Sequence, residues 1–120
     1  MEPADLKQRI TALLNDGKEI LIRWYSGGDE RFLYAFIDGK ELEYNDDFAV
    51  SLERLIVNLL SLHSSGEPHI NGEGRLSIEE GAIVLTHSSE CYEEEWDDEQ
   101  NEWIKIDREP LGGKQILMAL

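Results

Sequence analysis

Between Glu90 and Glu102 the chain carries eight carboxylates, Glu90, Glu93, Glu94, Glu95, Asp97, Asp98, Glu99 and Glu102, and no Lys or Arg. Tyr92, Trp96 and Trp103 are set among them. Crowded carboxylates offer three chemistries: steering of a cationic macromolecule, capture of a metal ion, and acid–base work by a carboxylate pair. The first fits best. Like charges on one hairpin oppose folding by roughly tenths of a kcal/mol or more per close pair. A solvated edge that only keeps sheets from pairing needs one or two charges, usually including Lys. Carboxylates attract at a distance and aromatic rings add buried area, the two ingredients of an interface hot spot.

Metal and nucleophile patterns are weaker. A calcium loop wants a glycine at its sharp turn, and Asp97-Asp98-Glu99-Gln100-Asn101 has oxygens but no such glycine. His63 falls at a helix end, His69 in a loop and His87 in a strand. His87 and Cys91 share a strand face but stand about 13 Å apart along it, so a shared ion would require a bulge. Cys91 is the only cysteine, which excludes internal disulfides and cysteine-based zinc sites. No nucleophile motif surrounds it, and it reads as a small buried hydrophobe. In so acidic a chain some carboxylate pair will stand at a glycosidase separation, so that separation carries no information. Gly72-Glu73-Gly74 and Ser26-Gly27-Gly28 read as turns. Neither opens a helix after a strand, and Glu73, Asp29 and Glu30 would repel phosphate. No metal and no cofactor is expected.

The whole chain repeats the bias of its hairpin. Its 120 residues include 11 Lys+Arg and 26 Asp+Glu, a formal charge of −15. Within a Debye length of about 8 Å these carboxylates still feel one another, so nucleic acid and anionic membrane surfaces are poor partners. With 41% hydrophobic residues there is material for one core and one domain, residues 1–120. No run approaches the roughly 20 apolar residues of a membrane helix. The start Met1-Glu2-Pro3-Ala4-Asp5 is acidic and unlike a secretory signal, and the single cysteine suits a reducing cytoplasm.

The elements that must position these groups follow from periodicity. Leu6, Ile10, Leu13 and Leu14 form one helical stripe, stopped at Asn15-Asp16-Gly17. Glu19 to Tyr25 alternates as a strand, turns at Ser26-Gly27-Gly28-Asp29-Glu30, and returns as Arg31 to Ile37. Asp38-Gly39 is a two-residue turn before a short strand within Lys40–Tyr44. Asn45-Asp46-Asp47 caps a helix with Phe48, Leu52, Leu55, Ile56, Leu59 and Leu60 on its apolar face, ended by Ser64-Ser65-Gly66. Glu67 to Gly74 reads as a polar, glycine-rich loop. Arg75–Glu79 and Ala82–Thr86 form a hairpin about Glu80-Gly81, with the second strand continuing to Trp96. Glu102–Asp107 returns, Pro110-Leu111-Gly112-Gly113 breaks it, and Lys114–Leu120 is an edge strand or a docked tail. The sum is an α+β fold: an antiparallel sheet of five to six strands with two helices on one face.

Three stretches resemble a family of small uncharacterised proteins of bacteria, plasmids and phages. They are Ile22-Arg23-Trp24-Tyr25-Ser26-Gly27-Gly28-Asp29, the pair Leu60-Ser61-Leu62-His63 and Ile70-Asn71-Gly72-Glu73-Gly74, and the hairpin from Leu76-Ser77-Ile78 to Ile83-Val84-Leu85-Thr86-His87. The resemblance covers residues 19–92 and implies no activity. It raises Asp29, His63 and His87, with Cys91 nearby, as an alternative site, and the acidic hairpin after Cys91 departs from it.

The leading expectation is a non-enzymatic, cytoplasmic binding protein of the immunity or antitoxin kind, neutralising a basic, nuclease-like protein. Its contact residues would be Glu90, Tyr92, Glu93, Glu94, Glu95, Trp96, Asp97, Asp98, Glu99, Glu102 and Trp103. The alternatives are a phage-type DNA mimic or anti-defence protein, and a small enzyme or metal-dependent domain using His63, His87 and nearby carboxylates. Either a monomer or a homodimer is compatible with the apolar tail.

Overall fold

A computed structural model describes residues 1–62 and 66–120. Helix α1 (Pro3–Asn15) starts at Pro3, whose missing N–H costs nothing in a first turn. Leu6 and Ile10 are buried, and Gly17, at φ 79°, follows the cap residue Asp16. Strands β1 (Ile20–Gly28), β2 (Glu30–Ile37) and β3 (Lys40–Glu41) come next. Asp38 and Gly39, at φ 50° and 81°, take the two positive values that a tight hairpin needs. Helix α2 (Asp47–Leu60) is capped by Asp46, whose Oδ1 accepts from the N–H groups of Phe48 and Ala49 at 3.0 and 3.1 Å. It ends at Ser61 in a left-handed conformation, earlier than the Ser64-Ser65-Gly66 stop, of which Ser64 and Ser65 lie outside the described residues. Strands β4 (Gly66–Glu79), β5 (Ala82–Asp97) and β6 (Glu102–Ala119) complete the chain.

The six strands form one antiparallel sheet in the order β3-β2-β1-β4-β5-β6. Period-two alternation sends Ile20, Ile22 and Trp24 of β1, Leu76 of β4, and Ile83 and Leu85 of β5 to one face. There they pack with Leu6 and Ile10 of α1 and Phe48, Leu52 and Ile56 of α2. The expected α+β arrangement, two helices on one face of the sheet, is the one observed.

Ser26-Gly27-Gly28, read as part of a turn, is the end of β1 and leaves Asp29 alone as the turn, and two longer stretches read as irregular are strand as well. The first is Glu67–Gly74, which belongs to β4. A Cβ added at Gly72 would lie 2.2 Å from Ser89 Oγ and 2.5 Å from the Ser88 carbonyl oxygen, and one at Gly74 would lie 2.7 Å from Leu85 Cδ1. These glycines serve close packing across the sheet rather than a turn. The second is Pro110-Leu111-Gly112-Gly113, which β6 crosses without stopping. Nothing pairs with its outer side, so proline's missing N–H breaks no ladder there. A bulge takes up the slack: Ser89 faces Leu111 whereas Cys91 faces Arg108, three residues on β6 against two on β5. Lys114 to Ala119 is therefore edge strand, with Leu117 buried and Ile116 65% exposed.

The last pair between β4 and β5 is His69–Tyr92. Beyond it, among the described residues, β5 and β6 pair only with each other, as a two-stranded arm. With that arm the molecule measures 56 × 30 × 23 Å and has a radius of gyration of 16.3 Å, against about 13.6 Å for a compact chain of this length.

Candidate functional site

The arm is the acidic hairpin. Its cross-strand pairs are Glu93–Ile106, Glu94–Lys105, Glu95–Ile104, Trp96–Trp103 and Asp97–Glu102. A free two-stranded ribbon is marginal in water, and two devices hold this one. The Trp96 and Trp103 rings meet edge to face, with centroids 5.6 Å apart. At the tip, Asp97 Oδ1 accepts from the N–H groups of Glu99 (2.9 Å) and Gln100 (3.3 Å), and Asn101 takes a positive φ of 56°. Both indoles stay in water, Trp96 at 45% and Trp103 at 65% exposure. Neither belongs to the core.

Alternation divides the acids between the two faces of the arm. Glu90, Tyr92, Glu94, Trp96, Trp103 and Lys105 lie on the face turned away from the helices, whereas Glu93, Glu95, Asp97 and Glu102 lie on the other. Some of the charge is relieved by β6. Lys105 Nζ stands 3.5 Å from Glu90 and 3.6 Å from Asp107. Arg108 pairs with Glu93, and that hydrogen bond holds the guanidinium above its ordinary pKa. Among the described residues no cationic side chain makes an ion pair with Glu94, Glu95, Asp98, Glu99 or Glu102. Those five carboxylates and two exposed indoles are what the arm presents to solvent.

The described members of the alternative site lie apart. His63 lies outside the described residues. Asp29 is exposed in the β1–β2 turn. His87 sits on β5 beside Gly74, which faces Ile22. Asp29 lies seven positions along the chain from Ile22, about 23 Å of strand. Between His87 and Cys91 strand β5 keeps unbroken register with β4, so the bulge that a shared ion would need on β5 is absent. Cys91 is buried in the core. Among the described residues no three His, Cys, Asp or Glu side chains are grouped to hold a metal ion.

His87 has a structural effect instead. It lines a cavity of about 200 Å³ with Trp24, Leu60, Leu62, Ile70 and Ser89. Both its ring nitrogens are buried without a hydrogen-bond partner, and burial lowers its pKa. The unfolded chain therefore takes up a proton near pH 6.5 that the folded chain still refuses, and stability falls as pH drops through that window. His87→Leu is expected to flatten the fall in melting temperature between about pH 7 and pH 5.5. An unchanged slope in the variant would assign the pH dependence to other groups.

One cluster was not singled out from the sequence. His69, read as a loop residue, lies on β4 and is buried. Its Nδ1 shares a 2.7 Å hydrogen bond with the Tyr25 hydroxyl. Its ring stacks on Tyr92 at 4.9 Å with the planes 7° apart. Burial raises the Tyr25 pKa, with smaller contributions from Tyr92, Glu94 and Glu30. The signal was present in Arg23/Tyr25 and Phe32/Tyr34/Phe36, which alternate onto the face the helices leave open, but only strand order brings β4 and β5 beside them.

No family model, curated protein or solved structure matches the chain. No helix among the described residues is long and apolar enough to cross a membrane.

Proposed function

We propose that this chain is a non-enzymatic binding protein whose acidic arm docks onto a basic protein, in the manner of an immunity protein or antitoxin that blocks a nuclease. The observation that carries this reading is an exposed tryptophan pair on a projecting hairpin, with Glu94, Glu95, Asp98, Glu99 and Glu102 in no ion pair among the described residues. A nuclease presents cations to phosphate. Carboxylates at those cations would occlude that surface, and the indoles would add apolar area at the centre of the contact. A phosphate-mimicking function is less well supported, because it needs acids along an extended face and here they bunch on one arm. A cytoplasmic setting suits the reading, since the single thiol needs no oxidising compartment.

The test is capture from the native host at low salt, followed by an activity assay on the retained protein. The reading expects a basic protein with nuclease activity that an equimolar amount of this chain suppresses. A retained protein that is acidic, or a nuclease indifferent to the chain, would contradict it.

A further inference from the structure

The sheet face opposite the helices carries an aromatic row that the arm alone does not account for. Tyr34 and Phe32 of β2 stack at 6.4 Å with planes 15° apart. Phe32 contacts Tyr25 of β1 at 6.4 Å, Tyr25 contacts His69 of β4 at 6.0 Å, and His69 stacks on Tyr92 of β5. Four residues beyond Tyr92, on the same face and about 13 Å along the strand, lies Trp96 with Trp103 opposite. Rings thus cross the molecule from β2 to β6 with no helix over them. Even with these contacts Phe32 and Tyr34 remain 44% and 46% exposed, two adjoining rings open to water on one face.

Two observations say what suits this face. The chain's own cations already lie on its rings: Lys105 Nζ sits 4.7 Å from the Tyr92 centroid and the Arg23 guanidinium 5.5 Å from that of Phe36. Carboxylates also border the row, and Glu94 and Glu30 are close enough to raise the Tyr25 pKa. A flat guanidinium can stack on such rings while donating to neighbouring carboxylates, which a compact, strongly hydrated ammonium does less well.

We propose that this aromatic face, from Tyr34 to Trp103, docks an arginine-bearing segment of the basic partner, its guanidinium groups lying over the rings between the carboxylates; this rests on the binding-protein reading above. The arm then steers the approach, and the face selects arginine over lysine.

The experiment uses the full chain and two synthetic ten-residue peptides of equal charge, one with alternating Arg and Ser and one with alternating Lys and Ser, titrated at low ionic strength. The arginine peptide is expected to bind about fivefold or more tighter than the lysine peptide. The double variant Phe32→Ala/Tyr34→Ala changes no charge and removes rings already exposed. It should bring that ratio close to one while the melting transition stays cooperative. Charge reversal of Glu93, Glu94 and Glu95 to Lys should weaken both peptides. Equal affinities in the unaltered chain, or a preference that survives the double alanine change, would overturn the aromatic face. If charge reversal still weakened both peptides, the acidic arm would stand without it. If charge reversal had no effect either, the binding reading itself would fall.

Discussion

Reversing Glu93, Glu94 and Glu95 together to lysine is expected to abolish binding of the basic partner, lowering affinity by about two orders of magnitude or more, while the fold survives. The three positions occupy one strand of the arm, and alternation spreads them over both of its faces. Reversal therefore opposes a cationic partner from whichever side it approaches. Interfacial charge pairs close enough to lose their water carry coupling energies of about 1.5–7 kcal/mol in measured cases, so three reversed contacts are ample. The fold has little at stake. The arm lies beyond the last pair of β4 with β5, and the one ion pair disrupted, Glu93 with Arg108, is partly exposed. Surface pairs of that kind contribute about 0–1 kcal/mol. Circular dichroism and a melting curve would check the fold, and titration against the captured partner the affinity. Full-strength binding by a folded triple variant would remove the arm from the interface.

Gly72→Ala carries the largest expected cost to stability, about 3 kcal/mol or more. The added methyl would lie 2.5 Å from the Ser88 carbonyl oxygen and 2.2 Å from Ser89 Oγ. A side chain can rotate away, but the carbonyl belongs to the β4–β5 ladder and can retreat only by separating the strands. Ser89 Oγ also accepts the buried Trp24 Nε1–H at 3.1 Å, so displacing it strands an indole donor in the core. Gly74→Ala meets only side chains at its closest, Leu85 and His87 and the edge of the Trp24 ring, and should cost less. Chemical denaturation of the two variants would rank them. A Gly72→Ala protein as stable as the unaltered chain would mean that β4 and β5 are not packed as described.

What could be seen in the sequence was whatever a few neighbouring residues decide. Asp46 caps α2 because its own carboxylate reaches two N–H groups nearby. Asp38-Gly39 and Glu80-Gly81 turn because glycine takes positive φ without strain at the second position, and Asp38 and Glu80 follow into the same region at the first. The stripes of α1 and α2 need only a period. The misreadings arise where distant residues decide. Gly72 and Gly74 look like a loop until Ser89, Leu85 and Trp24 are placed beside them. Pro110 looks like a breaker until β6 is known to be the edge.

The site divides in the same way. Its acids and indoles are adjacent in sequence and were legible together. Lys105 and Arg108 reach Glu90 and Glu93 only through the β5–β6 register, and His69 joins Tyr25 and Tyr92 only through strand order. That the hairpin projects at all depends on where β4 stops pairing, which no residue of the hairpin records.

Titrating the partner at rising ionic strength probes the central claim most directly, because screening acts on charge and leaves apolar contact largely intact. As the Debye length shrinks from about 10 Å at 0.1 M to about 3 Å at 1 M, the dissociation constant should rise by about two orders of magnitude, chiefly through slower association. A constant that stays level across that range would mean that the arm's carboxylates do not recruit the partner.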